Sequence, residues 1–237
     1  MARPFRMIPS CRILTLALVS AVLLCVGFPA ACRAEEPRPV DFKATDGVPL
    51  HGYLFGEGTS GVILAHMYPA DQKSWFPLAR KLAGDGYLAM TFDFRGYGES
   101  GGEKVIAEID RDLEGAYRTL QPKVKKVFLV GASMGGTAAI LVAARHPTAG
   151  VVTLSAPVAF RGLDAAEAVR KLTVPCLFIA AEGDAYAASA AREFDKTVKS
   201  TNRRLLIVPG EEHGTRLLAG PMGEKVEKAI FEFLKSN

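Results

Sequence analysis

From Val40 onward, short apolar segments alternate with longer segments in which apolar residues recur every three or four positions. The first pattern predicts buried strands, and the second predicts amphipathic helices. A chain in which the two alternate folds into a mainly parallel sheet, because each helix crosses back over the sheet before the next strand begins. We therefore predict an α/β sandwich with helices on both faces of the sheet.

The predicted sheet has about eight strands and begins with an antiparallel hairpin around Asp46-Gly47. The strands are expected at 40–44, 50–55, 61–65, 87–92, 127–130, 151–154, 176–180 and 205–208. The helices are expected through 75–82 and at 105–120, 134–145, 163–172, 187–198 and 225–234. We expect one domain over 40–237, preceded by a linker at 35–39.

The first 34 residues have the three parts of a secretory signal. Residues 1–12 contain three arginines, residues 13–28 are almost wholly apolar, and residues 29–34 are mostly small. We predict a signal peptide over 1–34 and export to the periplasm or the medium. Two alternatives leave a membrane attachment. The uncharged stretch 13–32 has 20 residues, which is enough to span a bilayer, and Cys32 is similar to the lipidated cysteine of bacterial lipoproteins.

The formal net charge of +4 belongs to this segment. It contains Arg3, Arg6, Arg12 and Arg33 and no acidic residue, so the rest of the chain carries 25 basic and 25 acidic side chains. Nucleic-acid binders depend on clustered Lys and Arg, so this balance argues against that class. Three of the four cysteines also lie in this segment, and we expect no disulfide framework and no Cys-rich metal site.

Two glycine motifs match the dinucleotide-binding pattern without its context. Residues 56–61 and 96–101 both match Gly-x-Gly-x-x-Gly. Dinucleotide binding also requires a strand before the motif, a helix after it and an acidic residue about 20 positions later. The first match joins two predicted strands, and the second lacks the acidic residue at the end of the next strand. We therefore expect no nucleotide and no other cofactor.

A third glycine motif, Gly131-Ala132-Ser133-Met134-Gly135, lies between a predicted strand and a predicted helix. A sharp strand-to-helix turn of this kind exposes a serine nucleophile in many hydrolytic enzymes. The glycines allow the turn to close, and the helix beginning at Met134 directs free N–H groups and the positive end of its dipole toward the serine. The motif predicts that Ser133 is a nucleophile. The alternative is a serine that only caps the helix.

With this motif, several separated segments resemble the α/β-hydrolase family. They are 62–68, 93–100, 181–184 and 209–214, each of which follows or ends a predicted strand. The resemblance extends over 40–237 and implies an α/β-hydrolase fold and a serine hydrolase, similar to esterases, lipases and the small dienelactone hydrolases. Many members carry a cap domain where this chain has 155–174. That segment has room for one helix, so we expect an open site without a separate cap domain.

A serine nucleophile needs a base that removes its proton during attack and returns it to the leaving group. Of the four histidines, only His213 follows the last predicted strand on a loop bounded by glycine, so we predict that it is the base. The resemblance places the acid at Asp184. Glu182 and Asp164 are the alternative acids.

The resemblance also implies an oxyanion hole. The N–H of Met134 is one expected donor, and the N–H of Tyr68, or of Met67, is the other. The family usually has glycine where this chain has Met67. His66 is expected to form hydrogen bonds near the site rather than act as a second base. The side chains expected to line the substrate pocket are His66, Trp75, Tyr97 and Tyr186.

Together these residues predict an exported serine hydrolase that cleaves carboxylic esters through an acyl-enzyme, with a small-molecule ester or acyl compound as substrate. Peptidase or acyltransferase activity on the same triad is the near alternative. A non-catalytic binding protein on the same scaffold is the alternative of another class. A dehalogenase needs a carboxylate nucleophile, which Ser133 does not provide. We expect no nucleic-acid partner, no bound metal, and membrane attachment only through the N-terminus.

Overall fold

A computed structural model of the chain describes residues 1–2, 4 and 36–237. The predicted signal segment, with its cleavage and lipidation sites, therefore lies almost wholly outside the described residues. Residues 36–237 belong to one compact folded unit. Within the described parts of the chain, no helix is both long enough and apolar enough to cross a bilayer.

Eight strands of this unit form one sheet, and two more form a separate hairpin. In chain order the strands are β1 (Arg38–Lys43), β2 (Pro49–Phe55), β3 (Ser60–Ala65), β4 (Leu88–Phe92), β5 (Lys126–Ala132), β6 (Gly150–Leu154), β7 (Ala159–Phe160), β8 (Leu163–Asp164), β9 (Cys176–Ala181) and β10 (Arg203–Val208). The sheet order is β1-β2-β4-β3-β5-β6-β9-β10. β1 pairs antiparallel with β2, β2 pairs antiparallel with β4, and all the other neighbours in this sheet are parallel. The predicted sheet and its antiparallel start are confirmed.

Helices cover both faces of the sheet. They are α1 (Phe76–Gly84), α2 (Ile109–Leu120), α3 (Met134–Ala143), α4 (Ala166–Val169), α5 (Ala185–Thr197), α6 (Arg216–Ala219) and α7 (Gly223–Ser236). Successive residues of a strand point to opposite faces. In β3, Ile63 belongs to the same apolar cluster as buried residues of α2, α3 and α5, whereas Val62 and Leu64 belong to the cluster that contains buried residues of α1 and α7. The two apolar layers therefore lie above and below the same central strands.

The helix predicted at 163–172 is wrong over most of its length. The segment 155–175 instead contains the β7–β8 hairpin and the single helical turn α4. Arg161 and Gly162 form the turn, with φ angles of 46° and 90°, and two positive φ angles are what a two-residue hairpin turn requires. Each strand has only two residues, which is too short to show an alternating pattern. The segment leaves no room for a folded cap.

A buried ion-pair network holds the loop after β4 against α2. Arg95, which is 3% exposed, donates from Nε and Nη2 to Oδ1 of Asp112 at 2.8 and 2.6 Å. The guanidinium also reaches Asp46 at 2.9 Å and Glu108 at 2.6 Å. Burial raises the pKa of Asp112, and the hydrogen bonds from Arg95 oppose that shift. Removing one partner of such a pair leaves an uncompensated buried charge.

Asp112→Ala should therefore lower the free energy of unfolding by about 3–5 kcal/mol. Asp110→Ala on the same helix is the matched control, because Asp110 contacts the more exposed Arg145 at 2.8 Å, and loss of a surface pair costs about 1 kcal/mol or less. Urea unfolding followed by circular dichroism measures both variants. Equal losses in the two would contradict the role assigned to the buried network.

Candidate active site

Ser133 lies between β5 and α3, at the edge of the sheet where the parallel strands end. Its φ and ψ angles are 49° and −122°, a backbone conformation that is costly for a residue with a side chain. Its N–H donates to the carbonyl of Leu154 at 2.8 Å, and its own carbonyl accepts from the N–H groups of Gly136 and Thr137. The backbone on both sides of the strained residue is thus fixed, and its side chain remains 7% exposed.

Two glycines allow this turn to form. A Cβ atom on Gly131 would overlap the carbonyl oxygen of Gly135, and one on Gly135 would overlap the carbonyl oxygens of Ala65 and His66. A side chain at Gly131 would force the turn itself open, and one at Gly135 would push the turn away from the end of β3. The end of β5, the start of α3 and the end of β3 lie so close together that only glycine fits at these two positions, as the motif predicted.

His213 and Asp184 lie on adjacent loops that follow β10 and β9. Nδ1 of His213 is 2.6 Å from Oδ2 of Asp184. The N–H of Gly183 donates to the carbonyl of Gly210 at 2.8 Å, which joins the backbones of the two loops. A carboxylate can only accept at this contact, so Nδ1 carries the hydrogen and Nε2 is left free to accept a proton.

The two alternative acids form hydrogen bonds elsewhere. Oε2 of Glu182 accepts from Arg192 at 2.6 Å. Oδ1 of Asp164, on β8, accepts from the N–H of Ala166 at 2.8 Å. Within 36–237, Asp184 is the carboxylate that the structure brings into hydrogen-bond contact with His213.

The histidine loop folds back onto the turn that carries Ser133. A Cβ atom on Gly214 would lie 2.5 Å from Sδ of Met67 and 3.5 Å from Cβ of Ala132. Gly214 directly follows His213, and Ala132 directly precedes Ser133. The serine and the imidazole therefore lie on neighbouring segments at one edge of the sheet.

Three backbone N–H groups at this edge are free to bind a developing negative charge. Those of Met134, Met67 and Tyr68 have no acceptor among the residues that the structure describes. Met134 is the first residue of α3, where N–H groups have no partner within the helix. The N–H groups named for the oxyanion hole are thus unoccupied.

Met67 stands where the resembled family usually has glycine, and its side chain is buried. Its sulfur packs against Gly214 and accepts from Oγ1 of Thr215 across 3.7 Å. The larger residue therefore fills the space beneath the histidine loop and links that loop to the end of β3.

His66 ties together the loops that follow β3 and β4. Its Nε2 accepts from the N–H of Phe94 at 3.1 Å, so Nδ1 carries the hydrogen and donates to the carbonyl of Met67 at 3.0 Å. Burial lowers the pKa of His66, whereas its bond to Met67 and the charge of Asp93 oppose that shift. His66 is a buried neutral hydrogen-bonding residue, as the sequence predicted.

The predicted pocket lining is wrong for three of its four residues, which are buried in the interior. His66 and Trp75 have no exposed surface, because their rings fill the interior, and Trp75 packs in the apolar layer with α1 and α7. Tyr97 is 4% exposed and lies edge-on to His66, with ring centroids 4.9 Å apart. Tyr186 is 67% exposed, and its hydroxyl donates to the carbonyl of Ala159 at 3.4 Å.

The tip of the β7–β8 hairpin lies against Tyr68 in the loop after β3, a contact that the sequence did not predict. The guanidinium carbon of Arg161 lies 4.5 Å from the ring centroid of Tyr68 and 5.3 Å from that of Phe160. The one sequence signal for this hairpin was Gly162, because glycine is typical of a turn.

Among the described residues, no group of three or more His, Cys, Asp or Glu could hold a metal ion.

A family model and two curated proteins each match less than half of the chain. A family model described as serine aminopeptidase, S33, matches residues 59–164. Epoxide hydrolase B of Mycobacterium tuberculosis is 36% identical over 109 residues, which are 43% of this chain and 30% of that enzyme. A thermostable monoacylglycerol lipase of Bacillus sp. is 30% identical over 105 residues, 43% of this chain and 42% of the lipase. The chain thus spans less than half the length of these curated relatives.

Among solved structures, an esterase of Pyrococcus furiosus superposes with a TM-score of 0.76. The alignment covers 85% of this chain and 91% of the esterase, at 22% identity. The chain has the α/β-hydrolase fold. The resemblance seen in the sequence is confirmed at the level of fold, and the α/β-hydrolase sheet places Ser133, Asp184 and His213 after β5, β9 and β10.

His66→Gln should weaken the pH dependence of stability. The folded-state pKa of His66 lies below its ordinary value of 6.5. As the pH falls below 6.5, the unfolded chain takes up a proton that the folded chain excludes, so the free energy of unfolding decreases. Gln can donate to Met67 and accept from Phe94 without titrating.

The measurement is urea unfolding of both proteins at about pH 7.5 and about pH 5.5. Wild type should lose more stability than His66→Gln on acidification. An equal loss in the two would contradict the inference, because other titrating groups are common to both.

Proposed function

We propose that the chain is an exported serine hydrolase that cleaves carboxylic esters through an acyl-enzyme. The observation that carries the proposal is the 2.6 Å contact between Nδ1 of His213 and Oδ2 of Asp184, on a loop that folds back to the strained turn at Ser133. A Ser-His-Asp triad uses these three groups for acyl transfer to serine. The similarity to a lipase and an esterase supports the same chemistry.

In the proposed reaction, Oγ of Ser133 attacks the ester carbonyl while Nε2 of His213 accepts the hydroxyl proton. Asp184 holds the imidazole in the required tautomer and stabilises its protonated form. The imidazolium then returns the proton to the leaving alcohol, which gives the acyl-enzyme. In the second half, His213 accepts a proton from water while the water oxygen attacks the acyl carbonyl, and it returns the proton to Oγ of Ser133 as the bond to the carboxylic acid breaks.

The negative charge on the tetrahedral intermediate needs fixed donors. The free N–H groups of Met134 and of Tyr68, or Met67, are the proposed pair. Donors held in place before the reaction stabilise this charge because they do not have to reorganise. Met134 is held by α3 and Met67 by its contacts with the histidine loop.

An ester is the substrate bond that we favour, and a small molecule is the substrate class. The segment 155–175 holds a hairpin and one helical turn, so the site is open and suited to short acyl groups. A peptidase on the same triad is the second candidate, favoured by the family description that matches 59–164. An acyltransferase would use the same acyl-enzyme with a different acceptor.

A fluorophosphonate probe should label the wild-type protein at Ser133 and fail to label Ser133→Ala, because the probe reacts with an activated serine hydroxyl. Ser189→Ala, which removes an exposed hydroxyl on α5, is the matched control and should be labelled like wild type.

Asp184→Asn should lower kcat for 4-nitrophenyl acetate by about 10⁴-fold. Glu182→Gln removes the same charge two residues away and should retain activity.

Absence of labelling in folded wild type would overturn the enzyme proposal and favour a binding protein on this scaffold. Labelling without ester turnover, together with cleavage of an aminoacyl 4-nitroanilide, would favour the peptidase. A large loss in Glu182→Gln or Asp164→Asn, with none in Asp184→Asn, would show that the acid is elsewhere.

The export part of the proposal rests on the composition of residues 1–34. Intact mass of the protein recovered from the producing cells should correspond to cleavage near Ala34. The mass of the complete chain, or a lipid on Cys32, would contradict cleavage and favour one of the two membrane attachments.

A further inference from the structure

The peptide bond between Met67 and Tyr68 carries one of the proposed oxyanion donors. Its carbonyl accepts from Nδ1 of His66 at 3.0 Å. The bond is trans, so its N–H points away from its carbonyl, and therefore away from the buried imidazole. That N–H has no acceptor among the residues that the structure describes. The hydrogen bond from His66 thus orients the N–H of Tyr68 and leaves it free.

The two side chains that flank this peptide bond are held in different ways. Met67 is 5% exposed and packs beneath the histidine loop, against Gly214. Tyr68 is 37% exposed, and its ring lies against the tip of the β7–β8 hairpin. The guanidinium carbon of Arg161 is 4.5 Å from the ring centroid of Tyr68, and the ring centroid of Phe160 is 6.0 Å from it. The hairpin tip therefore holds the outer side of a loop whose inner side is held by Met67.

The charge of Arg161 is available for this contact. Within 36–237, no carboxylate lies within ion-pair distance of Arg161, and its side chain is solvent-exposed. A planar guanidinium stacks on aromatic rings because the face of the ring attracts positive charge. The guanidinium also lies over Phe160, 5.3 Å from its centroid, so one cation joins the ring of Tyr68 to the hairpin.

The hairpin itself is fixed to the helices that follow the proposed nucleophile and the proposed acid. Oγ1 of Thr137, a buried residue of α3, donates to the carbonyl of Pro157 at 2.7 Å. The hydroxyl of Tyr186, in the first turn of α5, donates to the carbonyl of Ala159 at 3.4 Å. Arg161 therefore extends from a tip that hydrogen bonds connect to both helices.

We infer that Arg161 is a positioning residue that fixes the oxyanion donor of Tyr68. The guanidinium restrains the ring of Tyr68, and the hydrogen bond from His66 restrains the carbonyl of the same peptide bond. A donor that is fixed before the reaction stabilises the developing charge without reorganisation. The inference rests on the proposed function, and it names Tyr68, rather than Met67, as the second donor.

The first test measures kcat and KM for 4-nitrophenyl acetate in Arg161→Gln, which removes the cation and keeps a polar side chain. kcat should fall by about tenfold, because a loosened donor loses part of the roughly hundredfold effect of a complete one. KM should stay within about twofold, because the oxyanion exists only after attack on the carbonyl. Both halves of the reaction pass through an oxyanion, so kcat falls whichever half is slower. Arg161→Lys, which returns a cation to the ring, should recover kcat to within about threefold of wild type.

Inhibition by trifluoroacetone supplies a readout that belongs to the oxyanion alone. Oγ of Ser133 adds to the ketone carbon, His213 accepts the proton, and the ketone oxygen becomes an oxyanion like that of the reaction intermediate. The inhibition constant should rise in Arg161→Gln by the factor by which kcat/KM falls. An unchanged inhibition constant beside a reduced kcat would overturn the inference, because the oxyanion donors would then be intact.

Tyr68→Leu tests whether Arg161 acts through the ring of Tyr68, because it removes the ring and keeps the backbone N–H. It should lower kcat by about as much as Arg161→Gln does. The double variant should lie within about twofold of either single variant, because both changes break one contact. Losses that multiply in the double variant would overturn the inference, since Arg161 would then act independently of Tyr68.

Arg170→Gln is the matched control. Arg170 is exposed, lies in the same segment as Arg161 and is 3.9 Å from Glu167, so its loss should change neither kcat nor KM. Wild-type kcat in Arg161→Gln, a loss confined to KM, or no recovery in Arg161→Lys would overturn the positioning role. These outcomes are read against a wild type that is labelled at Ser133 and turns over the ester. If wild type shows neither, the proposed function itself has failed.

Discussion

The close contact between the turn at Ser133 and the end of β3 determines the arrangement of the whole site. Gly135 lies directly against the carbonyl groups of Ala65 and His66, so α3 begins beside the loop after β3. This contact brings the N–H groups of Met134 and of that loop to the same edge as the serine. The strained backbone of Ser133 persists because hydrogen bonds and packing on both sides fix it.

The sheet could be predicted almost completely from the sequence, because its central strands are buried on both faces and form continuous apolar runs. The segment 163–172 could not. Its apolar residues fit a helical period, but the hairpin turn at Arg161 and Gly162 places Leu163 in β8, where it pairs with Phe160. In strands of two residues the turn, rather than periodicity, sets the structure.

Site residues at strand ends could be predicted, because chain order and strand position limit where they lie. Side-chain direction could not. Trp75 and Tyr186 are both aromatic residues in the segments that follow β3 and β9, yet one is fully buried and the other exposed, and only packing distinguishes them.

The proposed base follows the outermost strand of the described sheet. β10 has one neighbour, β9, and its residues from Arg203 to Leu205 are exposed. Arg203 and Arg204 place positive charge on this edge, which opposes pairing with a strand of another molecule. Local opening needs least free energy where few buried contacts hold a segment. Fraying at this edge would displace His213 while the central strands stay paired, so the contact between His213 and Asp184 can be lost well before the protein unfolds.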